Sequence, residues 1–172
     1  MLISKLLAEA AFSKYSYVTW SPSYFTTMRG GSAQGTVVFS NEEIASPIIG
    51  KADVVVVVDS SQLKDFISRV KPGGTIIMES GGAEDKVDRK DISVIDIPAT
   101  KIAQEMGSMQ AANLILLGAY MQLIKDVPVE LVEQVLQKKF AGNERGLSLN
   151  INALRVGVRL MKERNSSTTL TS

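Results

Sequence analysis

Arg29-Gly30-Gly31 is the pattern in this 172-residue chain best suited to hold an anion. Arginine offers a planar cation with five donors, and glycine backbone without Cβ atoms lets a ligand approach closely. The same three residues also read as a plain glycine turn with an exposed arginine, and spacing alone does not choose. Asp59 closes a run of five valines, at the strand end where ligands of open α/β sheets bind, and it equally suits capping of the helix that Ser60 or Ser61 begins. Asn113 interrupts an otherwise apolar stretch and is either a polar bridge in the core or a ligand contact. Glu84, Asp85, Asp88 and Asp91 have oxygens for a hard cation, but they are mixed with Lys86, Arg89 and Lys90 and lack a calcium-loop spacing, so a solvated loop is expected. Met106, Met109, Met121 and Met161 are expected as core filler, and Trp20 as a core or interface residue.

Chemistry is also bounded by what is missing. The chain has no cysteine and no histidine. Disulfides, thiolate-held zinc or iron–sulfur clusters, a cysteine nucleophile, a Ser-His-Asp triad and any imidazole base are therefore outside its own means. With 19 Lys and Arg against 18 Asp and Glu, the net charge is +1, which indicates no nucleic-acid partner. The longest apolar stretch, residues 111–124, is broken by Asn113 and Gln122 and falls short of the about 20 residues a membrane span needs, so it reads as a core helix. Residues 1–11 lack an export-signal pattern, and a cytoplasmic location is expected.

The elements that must position these residues follow from periodicity. Ile3, Leu6, Leu7, Ala10 and Ala11 mark one face of a helix at the start of the chain. Strands are expected at 15–20, closed by Ser21-Pro22-Ser23, and at 36–39, with a polar loop over 24–34 between them. The valine run in 52–59 lacks polar alternation, as a strand covered on both faces would, and is expected at the centre of a parallel sheet. A helix with Leu63, Phe66, Ile67 and Val70 follows, ended by Pro72-Gly73-Gly74, and strands are expected at 75–78 and 92–97. Helices fill the last third, at 101–106, 110–125 and 128–139, with a final one whose seam is Leu147, Ile151, Leu154, Val158 and Met161. The fold class is thus α/β, a three-layer Rossmann-like sandwich with a mainly parallel sheet and a helical C-terminal third. One domain over 1–164 and a disordered Ser/Thr tail over 165–172 are expected.

The segment Val70-Lys71-Pro72-Gly73-Gly74-Thr75-Ile76-Ile77 is similar to a turn of S-adenosylmethionine-dependent methyltransferases. Those enzymes and dinucleotide-binding folds also need a Gly-x-Gly turn, and none occurs in this sequence. A stand-alone nucleotide- or S-adenosylmethionine-binding α/β protein is therefore the alternative reading rather than the first.

A longer resemblance runs through nearly the whole chain in order. Lys5-Leu6-Leu7-Ala8-Glu9-Ala10-Ala11, Tyr17-Val18-Thr19-Trp20, Pro22-Ser23-Tyr24, Met28-Arg29-Gly30-Gly31, Glu43-Ile44-Ala45-Ser46-Pro47, Lys71-Pro72-Gly73-Gly74, Ile97-Pro98-Ala99-Thr100, and Asn113 with Leu117-Gly118-Ala119 together resemble the gamma subunit of 2-oxoacid:ferredoxin oxidoreductases. The Met-Arg-Gly-Gly form is most similar to the 2-oxoglutarate branch. The resemblance implies a complex that oxidatively decarboxylates a 2-oxoacid to an acyl-coenzyme A and passes electrons to ferredoxin. It implies that thiamine diphosphate and iron–sulfur clusters reside on partner subunits (alpha, beta and, where present, delta). By the same resemblance, the gamma chain holds no catalytic residue, metal or cofactor of its own. It helps bind coenzyme A, the complex's substrate, and covers the active site. Arg29, Gly30, Gly31, Tyr24 and Asn113 are the binding residues it suggests, and the isolated chain is expected to be inactive and able to form a homodimer.

Two departures accompany the resemblance. Family members usually begin with a strand and a Gly-x-Gly-Gly-Gln-Gly turn before the helix that opens here at Met1, so a late start codon or a truncation is expected. Phe25-Thr26-Thr27 stands where many relatives have Gly-Pro-Glu, so a role carried by that glutamate does not transfer.

Overall fold

The computed structural model describes residues 1–25, 32–80 and 87–169. Among the described residues, six helices and five strands follow in the order α1 (Leu2–Ala11), β1 (Tyr17–Phe25), β2 (Ser32–Ser40), β3 (Ala52–Val57), α2 (Leu63–Ile67), β4 (Val70–Glu79), β5 (Ser93–Ile97), α3 (Ala99–Glu105), α4 (Ala111–Ile124), α5 (Val129–Lys139) and α6 (Glu144–Thr169). A short 3-10 turn, Ser60–Gln62, precedes α2. The chain divides into two compact units, Met1–Ile49 with Lys125–Leu147, and Gly50–Ile124 with Ser148–Ser172.

In the first unit, α1 packs against α5 and against the β1–β2 pair. Leu6, Leu7, Ala10 and Ala11 of α1 and Val132 and Leu136 of α5 are buried. These are the apolar positions at helical spacing, and burying them is what holds short helices that would not persist alone. Strands β1 and β2 are antiparallel in one register from Tyr17 opposite Ser40 to Phe25 opposite Ser32. Both are longer than the periodicity suggested, and β1 runs straight through Pro22, where a turn was expected. A two-stranded ribbon has a free edge on each strand, so a residue without an N–H costs no ladder bond there. Lys14 Nζ and Tyr15 Oη both donate to the carbonyl of Asp126, and the Tyr15 ring lies 4.7 Å from that of Phe39.

In the second unit, β3, β4 and β5 form a parallel sheet in that order. Its layers follow from the pleat. Val55, Val57, Ile76, Met78 and Val94 share one face, covered by Leu63, Phe66 and Ile67 of α2 with Val87 and Ile92. Ile77, Ile95 and Ile97 alternate to the other face and are also buried, and α4 packs on β4. The α/β class and the layered parallel sheet are as the sequence implied.

Three further elements differ from expectation. The valine strand β3 lies at the edge of this sheet and β4 at its centre; Val57 is buried, but Val54, Val55 and Val56 are only half-buried and Val58 is exposed. A β-branched run reports a preference for pleated, packed backbone but not the number of neighbouring strands. Strand β4 starts at Val70, expected as helix, because Gly73 at φ +78° lets the chain bulge, so Val70 pairs with Ala52 before Thr75 pairs with Val54. Helix α6 continues through Thr169, into the segment expected to be disordered. Once a helix is nucleated, each further residue adds one backbone bond, and Ser166 Oγ adds a bond to the carbonyl of Lys162 at 3.0 Å.

Helix α4 is buried nearly all round, as its composition predicts, with ten of its residues from Ala111 to Met121 enclosed. Met121 and Met161 fill the core as expected, whereas Met109 is exposed, because it sits in the turn before α4 rather than on its packed length. No helix among the described residues is long and apolar enough to cross a membrane.

Candidate functional site

The ribbon positions the first candidates. Tyr24 is the next-to-last residue of β1, opposite Ala33 in the register, and is 73% exposed. The six residues 26–31 connect the paired ends of β1 and β2, and the predicted ligand residues Arg29, Gly30 and Gly31 lie among them, outside the described residues. An antiparallel pair delivers its connecting segment at one end, so the arginine and glycines are carried by the same hairpin that presents Tyr24. Trp20 stands four residues earlier on the same face, at 36% exposure, and its Nε1 donates to Ser4 Oγ at 3.1 Å. It is anchored by its polar atom and open on part of its ring.

Asn113 belongs to the second unit. It is half-buried near the start of α4, a helix otherwise enclosed from Ala111 to Met121.

At the carboxyl ends of the parallel strands, the polar groups hold backbone. Asp59 Oδ1 accepts from the Ser61 N–H at 3.0 Å and from Ser61 Oγ at 2.7 Å, which is the capping arrangement. Glu79, missed by the sequence reading, ends the central strand at 6% exposure, and its Oε2 accepts the Thr100 N–H at 2.7 Å. A carboxylate there satisfies an amide that the first turn of α3 leaves unpaired. The available signal was an acid placed directly after Ile76-Ile77-Met78 in a strand buried on both faces.

The charged stretch after β4 is not wholly the solvated loop expected. Arg89 Nε donates to Asp91 Oδ1 at 2.9 Å, while its Nη1 donates to the carbonyls of Ile67 at 2.9 Å and Val70 at 2.8 Å. One guanidinium therefore ties the end of α2, the start of β4 and the segment entering β5. Its hydrogen bond to Asp91 raises the Arg89 pKa and lowers that of Asp91. Glu84 and Asp85 lie outside the described residues.

Among the described residues, the candidate site therefore offers the exposed phenol of Tyr24 at the end of β1. The carboxylates at the strand ends are engaged in holding main chain.

A parallel α/β sheet with such a hairpin defines the class, and comparison with known proteins gives the family. Residues 1–160 match the model of the pyruvate ferredoxin/flavodoxin oxidoreductase family. The chain belongs to that family. It is 31% identical over 164 residues to the ketoisovalerate oxidoreductase subunit VorA of Methanothermobacter thermautotrophicus, covering 91% of this chain and 33% of the relative. It is 28% identical over 172 residues to the 2-oxoglutarate synthase subunit KorC of Methanothermobacter marburgensis, covering 95% of this chain and 91% of that one. Among solved structures, a 2-oxoglutarate:ferredoxin oxidoreductase from Magnetococcus marinus, with 2-oxoglutarate, coenzyme A and succinyl-CoA bound, superposes with a TM-score of 0.82 at 22% identity, over 95% of this chain and 29% of that chain. The chain spans about a third of the length of VorA and nearly the whole of KorC.

Proposed function

We propose that this chain is the gamma subunit of a 2-oxoacid:ferredoxin oxidoreductase that converts a 2-oxoacid and coenzyme A to an acyl-coenzyme A and carbon dioxide, reducing ferredoxin. The match of the family model over 1–160 carries the reading, and it also favours treating 1–164 as one gamma-subunit domain. The names of KorC and of the Magnetococcus enzyme support 2-oxoglutarate as the substrate. Alpha, beta and, where present, delta subunits are the partners in this proposal, in the cytoplasm, with ferredoxin as acceptor.

Thiamine diphosphate supplies the carbanion chemistry of such a complex, and the clusters carry its electrons. A chain without cysteine cannot ligate the usual clusters, and in this proposal, as the family resemblance implies, both groups reside on the partners. What this chain contributes is binding. Arg29 offers two parallel N–H donors to a phosphate of coenzyme A, the glycines let backbone amides approach it, and Tyr24 supplies a further contact. Binding energy spent on the carrier's remote phosphates is available to orient its thiol.

The test is Arg29→Ala in the reconstituted complex. The expected result is an apparent KM for coenzyme A raised about tenfold or more, the loss of a charge-assisted phosphate contact, with kcat and the melting temperature of the isolated chain little changed. An unchanged coenzyme A dependence overturns the assignment of the loop. Alpha and beta subunits that assemble into a fully active enzyme without this chain overturn the reading as a whole.

A further inference from the structure

The two faces of the β1–β2 ribbon are patterned against their exposure. By the register, one face carries Val18, Trp20, Pro22 and Tyr24 with Phe39, Val37, Gly35 and Ala33 opposite them, and every one of these is apolar or aromatic. The other carries Thr19, Ser21 and Ser23 with Val38, Thr36 and Gln34. Yet Thr19, Ser21 and Ser23 are half-buried, as are Val18, Gly35, Val37 and Phe39 of the apolar face, while its Trp20, Pro22, Tyr24 and Ala33 are exposed. Helix α1 meets that face where Ser4 contacts Trp20 and approaches Gly35. Beyond that point, toward Tyr24 and Ala33, the apolar face is uncovered.

The charge pattern says what kind of surface fits it. Neither strand, YVTWSPSYF nor SAQGTVVFS, holds a charged residue, in a chain where 22% of residues are charged. Depletion of charge with enrichment of aromatics marks the centre of a protein–protein interface, and a long uncharged ribbon left open is an aggregation hazard unless something covers it. A neutral, apolar protein surface is complementary to it.

We propose that the outer apolar face of this ribbon, centred on Pro22, Tyr24 and Ala33, docks the chain onto a large partner subunit. That partner corresponds in sequence to the two-thirds of VorA outside the match. The occupant is identified by chain length: the same module is a third of VorA and of the Magnetococcus chain but nearly all of KorC. A module that is covalently part of a larger body in one relative and separate in another must hold that body non-covalently when separate. The inference rests on the proposed gamma-subunit reading and adds the surface used.

The experiment measures binding of the full chain to that partner subunit, purified without it, by biolayer interferometry. Ala33→Glu places a charge at the centre of the face, and Tyr24→Ser removes its most exposed ring. Each is expected to weaken binding at least tenfold while leaving the melting temperature of the isolated chain unchanged. Gln34→Ala, on the opposite face, is expected to bind as wild type does. Failure of the wild-type chain to bind the partner overturns the gamma-subunit reading itself. Equal binding by wild type and both variants overturns only the surface. Normal assembly of Ala33→Glu overturns it in favour of a ligand face, whatever Tyr24→Ser does to coenzyme A affinity. A dimer of the isolated chain, seen by light scattering and abolished by Ala33→Glu without effect on partner binding, overturns it in favour of a second copy.

Discussion

Arg89 and Asp91 make the clearest titration argument among single residues. Hydrogen bonding to Arg89, together with its charge, lowers the Asp91 pKa from the usual 3.8, so the folded chain favours the ionised carboxylate. A group whose pKa is lower when folded contributes stability above its unfolded pKa and loses it as pH falls through the folded value. The melting-temperature advantage of wild type over Asp91→Asn is therefore expected to be constant above about pH 5 and to shrink below the usual carboxylate value, disappearing in stronger acid. Both groups are solvent-accessible, so the effect is small and diminishes in high salt. An advantage that grows on acidification is the contrary result. Neither residue was legible as a pair of this kind, because the charged stretch alternates signs and only the fold brings Arg89 against the carbonyls of Ile67 and Val70. Asp59 is the opposite case: the acid followed by Ser60 and Ser61 announced a cap, and a cap is what it makes.

Between elements, the decisive contact is the crossing of α4 and α6. A Cβ on Gly118 would overlap the carbonyl oxygen of Leu154, lying 2.9 Å from its carbon and 3.0 Å from the Val158 nitrogen. On Gly157, it would overlap the carbonyl oxygen of Ile115 and lie 2.9 Å from the Ala119 nitrogen. Each glycine is seated on the other helix's backbone, so the two helices pass closer than any side chain permits. Gly118→Ala and Gly157→Ala are each expected to cost about 1–3 kcal/mol or more, overriding the usual gain in helix propensity from alanine. At this length, each kcal/mol lowers the melting temperature by about 2–4 °C. Because both changes strain one crossing, the double variant is expected to fall short of the sum. Unchanged melting in either single variant refutes the close crossing. The seam Leu154, Val158 and Met161 was readable from spacing, but the partner was not: nothing in the sequence of α4 says that Gly118 faces α6 rather than solvent. Likewise, the valines of β3 announced a strand but not its place in the order, since strand order is set by crossovers and not by composition.

At the scale of the whole chain, burial is unevenly distributed, and stability should be too. The central strand β4 encloses Ile76, Ile77 and Met78, and α4 encloses almost every residue of its first ten, so opening either exposes much of the apolar core. The β1–β2 ribbon has one ladder, two free edges and an outer face in water, and a two-stranded pair is marginal by itself. Local opening should follow this gradient. Amide hydrogen exchange of the isolated chain is expected to be slowest in 76–78 and 114–121 and faster by at least an order of magnitude in 20–25 and 32–37, where pairing lacks a covered face on the outside. Ribbon amides that exchange as slowly as those of α4 would mean that the exposed face is already stable in water and has no need of cover. Adding the partner subunit should slow exchange in the ribbon while leaving 76–78 unchanged, because the proposed contact lies on one unit and the slow core on the other. The family resemblance was legible from ordered motifs, but this gradient was not. Periodicity marks Trp20, Pro22 and Tyr24 as one face of a strand and leaves open whether that face is the inside of this chain or the outside of a larger one.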